Sequence, residues 1–152
     1  MRSVFAFLLL RYALHKEYGI CDVPQFTINE HGKPFLSDYP DIYFSMSHCT
    51  SAVVCAVSRS PVGADIQDIR RLSLSIAGKF LTPAELERIS LITDVEQRDK
   101  ELCRLWSIKE SFSKMTGKGF SEGFTGIDTG RLTSEGRALW TFRNGCYISV
   151  CI

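Results

Sequence analysis

Seven consecutive apolar residues, Val4 to Leu10, stand near the start of the chain, and Tyr12, Ala13 and Leu14 extend them past Arg11. The pattern predicts a helix over Val4–Tyr18 that ends at Gly19, a residue suited to a left-handed C-cap. A helix apolar on nearly every side must be covered on nearly every side, so the rest of the chain has to provide walls for it. The run does not read as an export signal, because it is short, Arg11 closes it and no small-residue cleavage site follows. It is also too short to cross a bilayer. The expectation is a cytoplasmic protein without membrane contact.

Downstream, the periodicity shortens. Phe26–Ile28 and Ile42–Met46 read as strands, separated by the turn Asn29–Phe35, which Gly32 and Pro34 punctuate. Ala52–Val57 mixes small and branched residues on both faces, so it is expected to be buried on both. Ser58–Pro61 is a turn and Val62–Ile66 another strand. Ser73–Phe80 reads as a helix. Thr82, Pro83 and Glu85 then open a second one as N-cap, first-turn proline and capping-box acid. Arg98–Thr116 is a long helix ended by Gly117, and Ile127–Ile152 reads as two or three strands. Helix, strands, helices, strands is an α+β order rather than a βαβ series. The turn at Ser58–Pro61 divides the 152 residues into halves 1–60 and 61–152.

Charge narrows the partners. A formal net charge of +1 offers no field for nucleic acid or an anionic surface. Six cysteines form no CxxC pair and match no zinc spacing, so they read as reduced thiols.

Three clusters carry chemistry: Phe44-Ser-Met-Ser-His48, Val62-Gly-Ala-Asp-Ile-Gln67, and Trp106 to Lys114. Asp65 and Gln67 are two apart on a strand and share a face, with Val62, Ala64 and Ile66 on the other. A carboxylate and an amide suit a hard cation, and Gly63 permits a close backbone approach. Glu110 and Lys114 are one helical turn apart, with Trp106 a turn earlier, while Leu102, Leu105, Lys109 and Phe112 form a different stripe. Taken singly, each cluster has a plain structural reading: a solvent-facing strand edge, a surface ion pair, a histidine that caps a turn.

Together they resemble the surfactin-type 4′-phosphopantetheinyl transferases. "VGADIQ" followed by "WSIKESFSKMTGKG" is similar to that family's G-x-D-x-E and W-x-x-K-E-[SA]-x-x-K signature. "FSMSH", "HGKP", "KFLTPAE" and the arginine-led opening helix resemble its other segments, in order, from about Arg2 to Gly119. The resemblance implies two pseudo-symmetric halves, each with a small antiparallel sheet packed on helices. It implies transfer of phosphopantetheine from coenzyme A to a serine of an apo acyl or peptidyl carrier protein, with Mg2+, releasing 3′,5′-ADP. Asp65, Gln67 and Glu110 are the implied metal ligands, with Glu85 a further acid near the metal or simply a helix cap. Glu110 is the implied base and Lys114 a phosphate partner. Arg2 and His48 are implied at coenzyme A phosphates, Gly32, Lys33 and Pro34 at its adenine, and Ser47 among the residues that bind coenzyme A.

Gln67 departs from the family pattern, in which an acid stands, and this should weaken the metal. Family members also carry a strand and basic residues ahead of the first helix. Without them, that helix is expected to leave an apolar patch that drives homodimerisation, partner binding or aggregation, and coenzyme A is expected to bind more weakly. Two rival readings follow: a non-catalytic coenzyme A or carrier-protein binding module, and a small nuclease. The nuclease reading fails because Asp65-Ile-Gln67 lacks the lysine such a site needs and the charge is near zero.

Overall fold

The computed structural model describes residues 2–119 and 123–152, with the Arg2 side chain outside that description. Helix α1 (Arg2–Tyr18) ends at Gly19, whose φ is +70°. It buries the stripe Ala6, Leu10 and Leu14, four residues apart, and exposes Val4, Phe5, Leu8 and Tyr12. The apolar helix is thus covered on one side. That side lies on the hairpin of β3 (Tyr43–His48) and β4 (Val53–Ser58), where Leu10, Leu14, Leu36, Ile42 and Phe44 form a core. The expectation that the fourth strand is buried on both faces is corrected. Every residue of β4 is only half-buried, because its sheet is two strands wide and α1 packs against it from one side.

A smaller ribbon pairs β1 (Phe26–Ile28) with β2 (Pro34–Leu36), so the end of the expected turn is itself a strand. Phe26 stacks between Phe7 of α1 and Phe44 of β3.

The second half is a three-stranded antiparallel sheet in the order β5 (Gly63–Asp68), β7 (Cys146–Cys151), β6 (Ala138–Arg143). Helix α4 (Val95–Thr116) lies across β5 and β7, capped by Asp94 and closed by Gly117 at φ +71°. Its sheet-facing residues are small. Ser107 bonds Ser149 at 2.7 Å, and Ser111 touches Cys151. A Cβ on Gly63 would lie 1.8 Å from the Ser111 carbonyl oxygen and 2.5 Å from the Met115 nitrogen. The close backbone approach expected at Gly63 is therefore that of α4 itself.

Short helices complete the layer: α2 (Leu74–Ala77), α3 (Pro83–Ser90) and α5 (Thr129–Ser134). The helix expected over Ser73–Phe80 spans only α2. Residues 129–134 are helical where a strand-rich tail was expected, because the Asp128 side chain accepts from the Arg131 N–H and starts a turn. A second core gathers Phe80, Leu81, Ile89, Leu102 and Leu105. The alternation of helices with small antiparallel sheets is α+β, as the element order implied. Among the described residues, no helix is long and apolar enough to cross a membrane.

Candidate active site

The two halves meet along β3 and β5. The Ser45 hydroxyl accepts from the Ala64 N–H at 2.9 Å, and Ser47 Oγ, two residues on, donates to Oδ1 of the next residue of β5, Asp65, at 2.7 Å. Asp65 is 1% exposed, an unusual place for a carboxylate unless it is paired. Its partners come from three elements. Lys114 Nζ of α4 lies 2.6 Å from Oδ1, and Gln67 Nε2 donates to Oδ2 at 2.9 Å. Lys114 also donates to Ser47 at 2.9 Å, which closes a triangle of lysine, serine and carboxylate. Asp65 and Gln67 thus share a face, and the close seating of α4 brings Lys114 onto it.

Glu110, one turn before Lys114, is different. No described residue donates a hydrogen bond to its carboxylate. Burial, and next the negative charge of Asp65, push its carboxyl above the usual range, only partly offset by Lys114 and Arg70.

Glu110 and Lys114 line a cavity of about 300 Å³. Its other walls include Gly32, Lys33 and Pro34 of the β1–β2 turn and Phe44 and Met46 of β3. Asn29 builds the turn by accepting from the Lys33 N–H at 2.7 Å, while its amide donates to the Gly117 carbonyl at 3.1 Å. Lys33 Nζ donates to the Met115 carbonyl at 2.9 Å, and burial holds its ammonium below the usual range. The turn is therefore fastened to the C-terminal end of α4. His31 also lines the cavity, although sequence reasoning passed over it; its place in the same turn was the available signal.

Other expected site residues fall elsewhere. Glu85 does not join Asp65 and Glu110. One of its oxygens accepts from the Thr82 N–H, and the other from the Thr129 N–H and hydroxyl. It also pairs at 2.7 Å with Lys109, a side chain with no exposure at all. The capping-box reading of Glu85 is borne out, and its two oxygens already receive Thr82, Thr129 and Lys109. Burial works against Glu85's charge, but hydrogen bonds from Lys109, Thr129 and Thr82 outweigh it and hold the carboxyl below its usual range. Trp106, a turn before Glu110, is packed into the core between Phe80 and Phe124. His48 is exposed at the end of β3. The phosphate contact expected of Arg2 falls on a side chain outside the described residues.

The profile of the 4′-phosphopantetheinyl transferase superfamily matches residues 61–144, and the chain belongs to that family. It is similar to the 4′-phosphopantetheinyl transferase psf-1 of Bacillus pumilus, 35% identical over 138 residues that cover 90% of this chain and 58% of the relative. To the 4′-phosphopantetheinyl transferase Sfp of Bacillus subtilis (strain 168) it is 35% identical over 122 residues, covering 79% of this chain and 54% of that protein. With the 4′-phosphopantetheinyl transferase gsp of Aneurinibacillus migulanus it shares 39% over 123 residues, 78% of this chain and 49% of the relative. The chain thus spans between 49% and 58% of the length of these relatives.

Proposed function

We propose that this chain transfers the 4′-phosphopantetheine group of coenzyme A to a serine hydroxyl of an apo carrier protein, acyl or peptidyl, with Mg2+ bound. The observation that carries the reading is the convergence of Asp65, Glu110 and Lys114 beside a cavity walled by Gly32, Lys33 and Pro34.

The donor set fits a hard cation. Asp65, Gln67 and Glu110 offer only oxygen ligands. A carboxylate has about four acceptor positions, and the three described donors to Asp65 leave one free. No described residue donates to Glu110, and the charge of Asp65 works against its own, so a cation held by these two carboxylates would relieve both. When bound, Mg2+ supplies positive charge to the pyrophosphate and to the leaving phosphate.

The chain's own residues do the rest. Lys114, anchored by Ser47 and Asp65, offers its ammonium to phosphate oxygens. His48 is exposed at the end of the same strand as Ser47 and can donate to a phosphate arriving from solvent. The turn Gly32–Pro34 and the apolar walls Phe44 and Met46 accept the adenine. Glu110 takes the proton from the carrier serine as general base. The serine oxygen then bonds to the phosphorus that bears pantetheine, the bond to the bridging oxygen breaks, and 3′,5′-ADP leaves.

The test is a loading assay with coenzyme A, Mg2+ and apo carrier proteins of fatty-acid and nonribosomal-peptide type, read as a mass increase on the carrier. Asp65→Ala and Glu110→Ala should each abolish loading while the fold survives. A folded Glu110→Ala protein with near-normal turnover overturns the mechanism. A second reading, a non-catalytic binding module, is favoured by one observation: Gln67 stands where the family has an acid and spends its amide on Asp65. Coenzyme A binding without any mass shift on either carrier type would decide for that module.

A further inference from the structure

Cysteines that sequence spacing left unrelated are brought together at the edge of the seam between the halves. Cys49 follows β3, Asp68 ends β5, and Cys146 opens β7. Asp68 and Cys146 are direct cross-strand partners in the sheet. The Sγ atoms of Cys49 and Cys146 lie 3.7 Å apart, and Cys146 Sγ is 3.3 Å from Asp68 Oδ1. The ligand atoms of all three residues fall within 4.8 Å of one another.

These separations have a chemical meaning. Two thiolates about 2.3 Å from a tetrahedral zinc ion stand roughly 3.8 Å apart, and a thiolate and a carboxylate oxygen roughly 3.5 Å. The observed spacings are close to both. A fourth corner is present as well. Ser51 Oγ lies 3.6 Å from Cys49 Sγ, 3.2 Å from Cys146 Sγ and 2.8 Å from Asp68 Oδ1. That position suits this hydroxyl or a water that replaces it. The other oxygen of Asp68 accepts from the Thr50 N–H at 2.6 Å, a support that orients a ligating carboxylate and leaves Oδ1 to the site.

We propose that Cys49, Asp68 and Cys146 form a site for a thiophilic divalent cation of the zinc type, distinct from the oxygen-only cluster around Asp65. Two of the ligands are set by sheet register and need no rearrangement. The third sits on a turn that the Cys49 N–H to Ala52 carbonyl bond closes at 3.0 Å. An ion there clamps the β3–β4 turn to β5 and β7, the strands that with β3 position Ser47 and Asp65. Soft thiolates select zinc over magnesium, so the two sites would not compete for one ion.

The test is Co2+ titration of the fully reduced protein in saturating Mg2+, followed by displacement with Zn2+. One equivalent of Co2+ should bind with a thiolate-to-cobalt charge-transfer band, and Zn2+ should bleach it. Zn2+, but not Mg2+, should raise the melting temperature with saturation at one ion per chain. Cys49→Ser, at a half-exposed position, should weaken Co2+ at least about tenfold, the scale of lost metal-site partners. Asp68→Asn should weaken it without removing the band. Cys21→Ser, which removes the thiol beside His15, should change nothing. The proposal is overturned if the reduced protein shows no band at one equivalent. It is equally overturned by a band that survives Cys49→Ser unchanged, by one that depends on Cys21, or by a Cys49–Cys146 disulfide in a protein that binds no metal when reduced.

Discussion

Gly63→Ala is the smallest change that should disable the site, and its effect can be worked from geometry. The added methyl would sit 1.8 Å from the Ser111 carbonyl oxygen and 2.9 Å from the carbonyl carbon. Carbon reaches its optimum with neighbouring heavy atoms at about 3.5–4.0 Å, so helix and strand must part by something on the order of 1.5 Å. The opposing atoms are backbone, and no rotamer can swing aside. Overpacking typically costs about 1–3 kcal/mol, and this contact belongs at or beyond the upper end. The gain from stiffening the unfolded chain, about 0.4–1 kcal/mol, does not offset it. In a domain of this size a net loss of about 2–3 kcal/mol lowers the melting temperature by roughly 4–12 °C. The same shift pulls Lys114 from Asp65, now 2.6 Å away, and carries Glu110 with it. A misplacement of about 1 Å at reacting groups costs on the order of 100-fold in rate. Thermal denaturation and the loading assay check both parts. Gly78→Ala is the internal control, since its Cβ would meet nothing nearer than 3.6 Å and should leave both measurements nearly unchanged. Wild-type stability and turnover in Gly63→Ala would refute the claim that this contact sets the site.

Further outcomes are expected. Glu110→Gln should raise stability at neutral pH while abolishing loading. The folded carboxyl lies above its unfolded value, so its stabilising contribution is present below the unfolded value and lost as pH rises through the folded one; a lower denaturation midpoint at neutral pH would contradict this. Gln67→Glu should lower the Mg2+ concentration that half-saturates loading, because it restores a charged oxygen ligand, and an unchanged or higher value would remove Gln67 from the metal's surroundings. Glu85→Ala takes the counter-ion from buried Lys109, which keeps only the Phe124 and Ile127 carbonyls, and should cost about 3–5 kcal/mol in chemical denaturation; Glu85→Leu with Lys109→Met should recover only part of it, because the Thr82 and Thr129 N–H groups lose their acceptor. Glu85's carboxyl is depressed in the folded state, so its contribution is present above the unfolded value and fades as pH falls through the folded one. Phe5→Glu, on the exposed stripe of α1, should reduce a concentration-dependent rise in mass seen by light scattering, and a constant monomer mass in the parent chain would refute self-association through that helix.

What was legible from sequence was mostly local. Gly19 and Gly117 stop their helices through left-handed backbone, and Thr82 and Glu85 form their capping box, all within one turn of chain. The shared face of Asp65 and Gln67 follows from strand alternation alone. Long-range partnerships were not legible. Nothing near Lys109 in sequence announces that it will be buried against Glu85, and the helical stripe that holds it predicted only a shared face. Cys49 and Cys146 meet through sheet register, which no spacing rule encodes. Likewise Trp106 was read with Glu110 because a helical turn joins them, yet the offset within that turn directs it toward Phe80 and Phe124.

The β1–β2 turn, tied to α4 by Asn29 and Lys33 across more than half the chain, makes the cavity a property of closure between the halves. A pocket whose walls are tied together across 82 and 88 residues of sequence exists only once those long-range contacts have formed. A ligand that fills it therefore binds nothing in a partly assembled chain, and its free energy counts in full toward the closed form. Amide protons at the end of α4 should accordingly exchange only through openings that also release the ligand, so that saturation slows them together rather than one by one.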